Sequence, residues 1–338
     1  MKIGILGVGA TGARAARQLV DAPEVTSVVL AGGRRDRIKS LTASLPDHGL
    51  AAADPLDAGV DGLILAGPSG THGAVVRRAL EAGVPVVSTS DAPEEIEAML
   101  SLSSEATERQ VSVAVGAAFA PGMSCLLAAH GAQGFDELDE IHVARVGAGG
   151  PACARQHHDA LSGTAIDWRD GGWQERRSGS GRELVWFPDP MGARDCYRAS
   201  LADPFVLVDA FPGVQRVTAR LAANRRDRMT ARFPMLRRPP AEGGPGAIRV
   251  ELRGRVDGRT AVAVFGAIDR PAVASGAVAA LAIRRLVRGE SRRDGVGGLA
   301  AMFEPGPFLA ELSARGVKAA VFEGSHGAPD LAESVQGR

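Results

Sequence analysis

Across residues 1–120, short apolar runs alternate with amphipathic ones. Ile3–Leu6 reads as a strand, Ala13–Asp21 as a helix and Val25–Leu30 as a second strand. Leu63–Ala66 is an uninterrupted apolar run of the kind a buried strand shows, and Gly73–Ala82 predicts a helix ended by Gly83 with Pro85 beyond. Val84–Ser88 predicts a strand, Pro93–Arg109 a long helix with proline in its first turn, and Val111–Val115 another strand. Strands that alternate with helices predict crossover units and a parallel sheet covered on both faces.

After Pro121 the texture changes. Met123–Ala132 predicts a helix, and Asp139–Val146 alternates like a half-exposed strand. Between Gly147 and Asp195 the glycines, arginines and tryptophans show weak periodicity, which predicts loops and short strands. Ile248–Val256 and Thr260–Ile268 flank Asp257-Gly258, a strong two-residue hairpin signal, and Val214–Ala222 resembles a third such strand. Pro271–Arg288 predicts a helix returning to the first domain, and Arg237–Gly246, rich in proline and glycine, predicts a surface loop. The expected organisation is therefore α/β: residues 1–122 form one domain completed by 271–288, residues 123–270 form a second on a largely antiparallel sheet, and 289–338 form a C-terminal extension.

Composition narrows the function. The 338 residues carry 39 basic and 39 acidic side chains, and all the basic ones but Lys2, Lys39 and Lys318 are arginine. A balanced charge excludes the basic surface that a nucleic-acid binder needs to displace counterions. An arginine-rich background also means that a lone arginine carries little information. No apolar run approaches the ~20 residues needed to span a bilayer, so no membrane partner is expected. Cys125, Cys153 and Cys196 share no paired spacing, which predicts neither disulfides nor a metal site and fits a reduced, cytoplasmic protein.

Gly7-Val8-Gly9-Ala10-Thr11-Gly12 follows the first strand and opens the first helix, the context that makes GxGxxG a dinucleotide signature. Gly7 permits the tight turn, Gly9 lets backbone approach a pyrophosphate, and Gly12 lets helix and strand pack closely. Ala10 and Thr11 lie at the helix N-terminus that binds the phosphates. The N-terminal domain is thus read as a Rossmann domain. At the end of the second strand, where an NAD site carries an acid for the ribose 2′-hydroxyl, this chain has Ala31-Gly32-Gly33-Arg34-Arg35. Arg34 and Arg35 suit a 2′-phosphate, so NADP(H) is the expected cofactor. Gly67, Pro68, Ser69 and His72, after the fourth strand, and Thr89, after the fifth, are expected beside the nicotinamide half; Thr71 is a candidate cap for the helix that follows.

Two families resemble this domain. Pro68 to His72 and Ala79-Leu80-Glu81-Ala82-Gly83-Val84 are similar to the glucose–fructose oxidoreductase/inositol dehydrogenase group. Where that group has Glu-Lys-Pro with a catalytic lysine, this chain has Ser88-Thr89-Ser90-Asp91. Ala66-Gly67-Pro68, Val75–Gly83, Ser90-Asp91 and Gly116–Ser124 resemble the saccharopine-dehydrogenase-like reductases more fully. Ala120 stands in place of that family's aspartate before Pro-Gly, and Cys125 where asparagine is common. The resemblance spans residues 1–135 and implies an NAD(P)-dependent two-domain protein, often dimeric, that reduces an imine formed between an amino acid and a carbonyl compound.

Hydride transfer also needs a proton donor and a way to hold the substrate. His157 and His158 are the candidate donors; adjacent residues in a helix diverge by about 100°, so one at most faces a cleft. Asp91, at the carboxyl end of the fifth strand, is either a site carboxylate or a cap for the helix after it. Arg194 and Arg198, with Tyr197 between them, are candidates for binding a substrate carboxylate. We expect an NADPH-dependent reductase of an imine or carbonyl on a small carboxylated metabolite, working as a homodimer. The alternatives are an NADP-dependent alcohol or semialdehyde dehydrogenase and a non-catalytic NADP(H) sensor.

Overall fold

A computed structural model describes residues 1–45, 47–235 and 239–321. Arg237 and Arg238 of the predicted surface loop, and residues 322–338 of the extension, lie outside the described residues.

The apolar runs of the N-terminal half become strands buried on both faces. Strands β1 (Lys2–Leu6), β2 (Ser27–Ala31), β3 (Gly49–Ala51), β4 (Gly62–Leu65), β5 (Val86–Ser88) and β6 (Ser112–Val115) are linked by helices α1 (Ala10–Val20), α2 (Arg35–Ala43), α3 (His72–Glu81), α4 (Pro93–Leu100) and α5 (Ser103–Glu108). All pair in parallel, with β1 between β2 and β4. The single helix expected over Pro93–Arg109 is two. Ser101 donates its hydroxyl to the Ala98 carbonyl, and serines that bond the backbone this way compete with helix continuation.

The chain then passes through α6 (Met123–Ala132), β7 (Glu137–Val146), α7 (Pro151–Ala160), β8 (Thr164–Arg169), β9 (Gly172–Arg177), β10 (Glu183–Phe187), β11 (Gly192–Arg198), α8 (Asp203–Ala210), β12 (Arg216–Ala222), α9 (Arg225–Thr230), β13 (Gly246–Val256) and β14 (Arg259–Asp269). The predicted Asp257-Gly258 hairpin joins β13 to β14 in antiparallel register. The sheet is mixed: its other described pairings are antiparallel, as expected, but β12 runs parallel to β7. A parallel pair requires a long crossover, and residues 147–215 supply one.

Two helices in that crossover escaped the pattern. Helix α7 opens with Gly150-Pro151, a sound start signal, but its faces are divided between a polar cleft and the core, so apolar periodicity is weak. Helix α8 likewise begins at Asp203-Pro204.

Helix α10 (Pro271–Val287) returns to lie on α1. The approach is close enough that a Cβ on Gly276 would sit 2.5 Å from the Arg14 Cβ. The described part of the extension joins both sheets. Strand β15 (Gly295–Gly298) pairs in parallel with β6, and after α11 (Leu299–Met302) and α12 (Pro305–Ala314), β16 (Lys318–Val321) pairs with β14. A single hydrophobic cluster runs from Ile3 and Ile5 through α6 to Phe265 and Phe308. No helix among the described residues is long and apolar enough to cross a membrane.

Candidate functional site at the carboxyl ends of the parallel strands

The glycine-rich turn has the shape its spacing implies. Gly7 has φ +110°, and a Cβ there would lie 2.3 Å from the Gly67 nitrogen. A Cβ on Gly12 would lie 1.9 Å from the Gly7 carbonyl oxygen, so only glycine lets α1 sit this near β1. Gly9 faces open space, and as the N-cap of α1 it brings no side chain to the free N–H groups. This is a cradle that any side chain at Gly9 would fill, and it fits a pyrophosphate. Arg34 and Arg35 stand exposed just past the end of β2, and neither forms an ion pair with a described residue.

Beyond β4, the expectations divide. Pro68 and Ser69 are exposed on the turn, and the Ser69 hydroxyl donates to Gln156 Oε1 of α7 at 3.1 Å. Thr71 does not cap α3; its hydroxyl donates to the Pro68 carbonyl. The Glu95 carboxylate instead accepts from the Gly70 and His72 backbone N–H groups. His72 is buried beneath the turn, 2.8 Å from the Ser88 hydroxyl, and so packs instead of facing a ligand. Burial pushes its imidazole pKa down.

A cavity of about 80 Å³ lies at the strand ends, lined among others by Thr11, Thr89, Asp91, Arg145, Cys153 and His157. Asp91 is no helix cap: the N-cap of α4 is Ala92, without a side-chain bond. One Asp91 oxygen, Oδ2, lies 3.3 Å from His157 Nε2 and 3.3 Å from the Arg145 guanidinium. His157 Nε2 is also 3.4 Å from Cys153 Sγ. Arg145, 5 % exposed at the end of β7, donates to the Ala120 carbonyl as well. The Phe119–Ala120 turn is itself held by α10, whose Ser275 hydroxyl accepts from the Phe119 N–H at 3.0 Å.

Burial favours the neutral acid at Asp91, yet the hydrogen bond from His157 and the charge of Arg145 outweigh it, holding this carboxyl below its usual range. At His157, burial opposes protonation. The neighbouring Cys153 sulfur and the hydrogen bonds to Asp91 and Cys153 prevail over burial and the charge of Arg145, and the imidazole is raised to about 9. Asp203, fully buried, accepts from the Ser124 hydroxyl at Oδ1 at 2.8 Å, and its Oδ2 has no partner among the described residues. Burial raises its pKa, against the opposing pull of Arg145.

The two candidate histidines part company. His158 points away from the cavity, with Nε2 3.0 Å from the carbonyls of Thr230 and Phe233, where it ties α7 to the end of α9 and the turn after it. Arg194, Tyr197 and Arg198 lie on strand β11 and do not line the cavity. Arg198 pairs with Asp167 at 3.4 Å, and Tyr197 is buried with the Arg228 guanidinium 4.0 Å over its ring. The structure instead adds Arg145, Cys153 and Asp203. Arg145 carried a signal: it continues the inward-facing series Ile141, Val143 on β7 and is the charge in that apolar row. Cys153 also carried one, standing four residues before His157.

No family model and no curated protein matches the chain. Among solved structures it is similar to apo saccharopine dehydrogenase (L-Glu forming) from Saccharomyces cerevisiae, with a TM-score of 0.71, 16 % identity, and 95 % of this chain and 99 % of that one covered. It is also similar to GenD2 from gentamicin A biosynthesis, in complex with NAD, with a TM-score of 0.50, 14 % identity, and 96 % and 97 % covered. A myo-inositol dehydrogenase from Corynebacterium glutamicum matches at a TM-score of 0.48 and 14 % identity over 96 % and 99 %. At these identities the likeness is one of fold: the chain has the fold of saccharopine dehydrogenase.

Proposed function

We propose that the protein is an NADPH-dependent oxidoreductase that reduces the imine or carbonyl of a small carboxylated metabolite. The observation that carries this reading is the single cavity joining Thr11 and Thr89, on the dinucleotide side, to the buried group of Asp91, Arg145 and His157. The nicotinamide cofactor, when bound, supplies the hydride.

The chain's own residues do the rest. The free N–H groups at the start of α1 and the open space at Gly9 take the pyrophosphate, and Arg34 and Arg35 take the 2′-phosphate. His157 holds a proton at Nε2 on the cavity wall, and that proton passes to the substrate nitrogen or oxygen as it is reduced. Asp91 fixes the ring's orientation, and Arg145 fixes Asp91. A substrate carboxylate entering the cavity meets Arg145 and protonated His157 against the one negative charge of Asp91, which favours an anionic metabolite. Helix α7 lies over the strand ends, tied to the Ser69 turn through Gln156, and keeps bulk water from the group.

Titration with NADPH and NADH tests the cofactor; equal or tighter binding of NADH overturns the choice. NADPH consumption with a panel of keto-acid and amine pairs tests the reaction. Binding without turnover, alongside a co-purifying partner, points to a sensor, and oxidation of an alcohol or semialdehyde without imine reduction points to the reverse chemistry. His157→Asn is expected to lower kcat by roughly 10²–10⁴-fold. His158→Asn is expected to lower Tm and spare kcat. Equal rates in the two variants would remove the proton-donor role.

A further inference from the structure

We infer that the cavity is also a site for a divalent zinc-like ion, bound by Cys153 Sγ, His157 Nε2 and an Asp91 carboxylate oxygen. No sequence spacing announces this site, because its third ligand comes from the far side of the cleft. Cys153 and His157 are four apart on α7, so both side chains rise from one helix face. The helix is fixed at its start by Gly150, where a Cβ would lie 3.2 Å from the Ala10 Cβ. Asp91 approaches from the end of β5. The three ligand atoms lie within 4.8 Å of one another.

The separations decide between a hydrogen-bonded group and an ion site. His157 Nε2 lies 3.4 Å from Cys153 Sγ and 3.3 Å from Asp91 Oδ2. One N–H shared between two acceptors serves the Asp91 oxygen at a length beyond the usual 2.7–3.2 Å for N–H···O. These two lengths are close to two edges of a coordination tetrahedron: Zn–S of about 2.3 Å with Zn–N and Zn–O of about 2.0–2.1 Å give S···N of about 3.6 Å and N···O of about 3.3 Å. A single ion satisfies all three atoms where one proton serves two of them poorly. A thiolate, an imidazole and a carboxylate form a donor set that zinc accepts and calcium or magnesium does not favour.

The surroundings support the assignment. Arg145, 3.3 Å from Asp91 Oδ2, orients the carboxylate from outside as a partner of a metal ligand does. The thiolate and Asp91 balance the two charges of the ion. Three protein ligands leave a fourth position open to the cavity bordered by Thr11 and Thr89, the arrangement of a catalytic and not a structural zinc site. The inference rests on the reductase reading only for what fills that position: a water holding the proton that Nε2 otherwise holds, or the substrate's carbonyl oxygen.

The test is made on the full-length protein without cofactor or substrate, so it is independent of the reductase reading, which NADPH titration of the same samples follows. Elemental analysis after zinc loading and dialysis should give one zinc per chain. Cobalt(II) titration should give the near-ultraviolet thiolate-to-cobalt charge-transfer band and intense visible bands of a tetrahedral site. Cys153→Ser should abolish the charge-transfer band, whereas Cys125→Ser, altering a cysteine buried in α6, should leave it. Arg145→Met should weaken cobalt binding by roughly 10–100-fold, the cost of losing a partner of a metal ligand. Should Cys153→Ser fail to melt cooperatively, Asp91→Asn serves instead, with loss of tetrahedral intensity as the readout. The absence of a charge-transfer band in the wild type, or its survival in Cys153→Ser, overturns the site.

Discussion

Arg145→Met offers the sharpest test of how the site is held together. The substitution keeps most of the side-chain volume and removes a guanidinium that is 5 % exposed and 3.3 Å from Asp91 Oδ2. At that separation an effective dielectric of about 20 gives an attraction of about 5 kcal/mol, and removing one partner of a buried pair costs about 3–5 kcal/mol in practice. Asp91 keeps its contact with His157, which places the expected loss at the lower end, about 3 kcal/mol. The Ala120 carbonyl loses its donor as well, adding about 1 kcal/mol. The measurement is denaturant unfolding followed by circular dichroism, on Arg145→Met, Asp91→Asn and the double variant. In the double variant the orphaned carboxylate is gone, so the two losses should fall short of additivity by at least about 1 kcal/mol. A single-variant loss below about 1 kcal/mol, or strict additivity, would show that Arg145 does not hold Asp91.

Three further expectations follow from other parts of the molecule. Arg34→Ala and Arg35→Ala should each weaken NADPH binding by roughly 10–100-fold, since a hydrogen bond to a charged group is worth about 1.5–3 kcal/mol, and leave NADH binding unchanged by calorimetry. Gly9→Ala should abolish cofactor binding with Tm preserved, because its Cβ meets only open space, whereas Gly12→Ala should lower Tm too, because its Cβ would sit 1.9 Å from the Gly7 oxygen. Burial depresses the imidazoles of His72, His130 and His142, so the folded state binds fewer protons than the unfolded one near their titration. Stability from these groups is therefore full above pH of about 6.5 and lost as pH falls below it. Melting temperature against pH reads this, and His130→Leu, which removes a ring beside Phe265 whose two nitrogens have no partner among the described residues, should flatten the fall.

How far the chain declares itself differs between its halves. Gly7, Gly9 and Gly12 could be assigned roles because each answers a local requirement of turn, ligand approach or packing, and neighbours in sequence are the neighbours that matter. Arg34 and Arg35 could be given a proposed role for the same reason, standing just past the end of β2. The second half hid its site. Helix α7 turns a polar face to the cleft, so apolar periodicity did not reveal it, and without that helix the spacing of Cys153 and His157 meant nothing. Asp91 had two readings of similar merit, and only the absence of a cap bond on α4 and the approach of His157 separate them. The arginines of β11 looked like a carboxylate clamp, but strand geometry and the pairing of Arg198 with Asp167 assign them to another part of the sheet.

Local patterning was enough for β1, β2, β4, β5 and β6, for α1 and α3 and for the glycine-rich turn, because these depend on residue periodicity and on backbone freedom at single glycines; it passed over α2, β3 and β15, which are short or weakly patterned. The mixed order of the second sheet, with β12 parallel to β7, depends on how a 69-residue crossover from 147 to 215 folds back, which no window of sequence encodes. The same holds for Asp91, Arg145, Cys153 and His157. They come from the loop after β5, from β7 and from α7, and their chemistry arises from a few ångströms of separation in a buried cleft, where low polarity makes each charge depend on its partner.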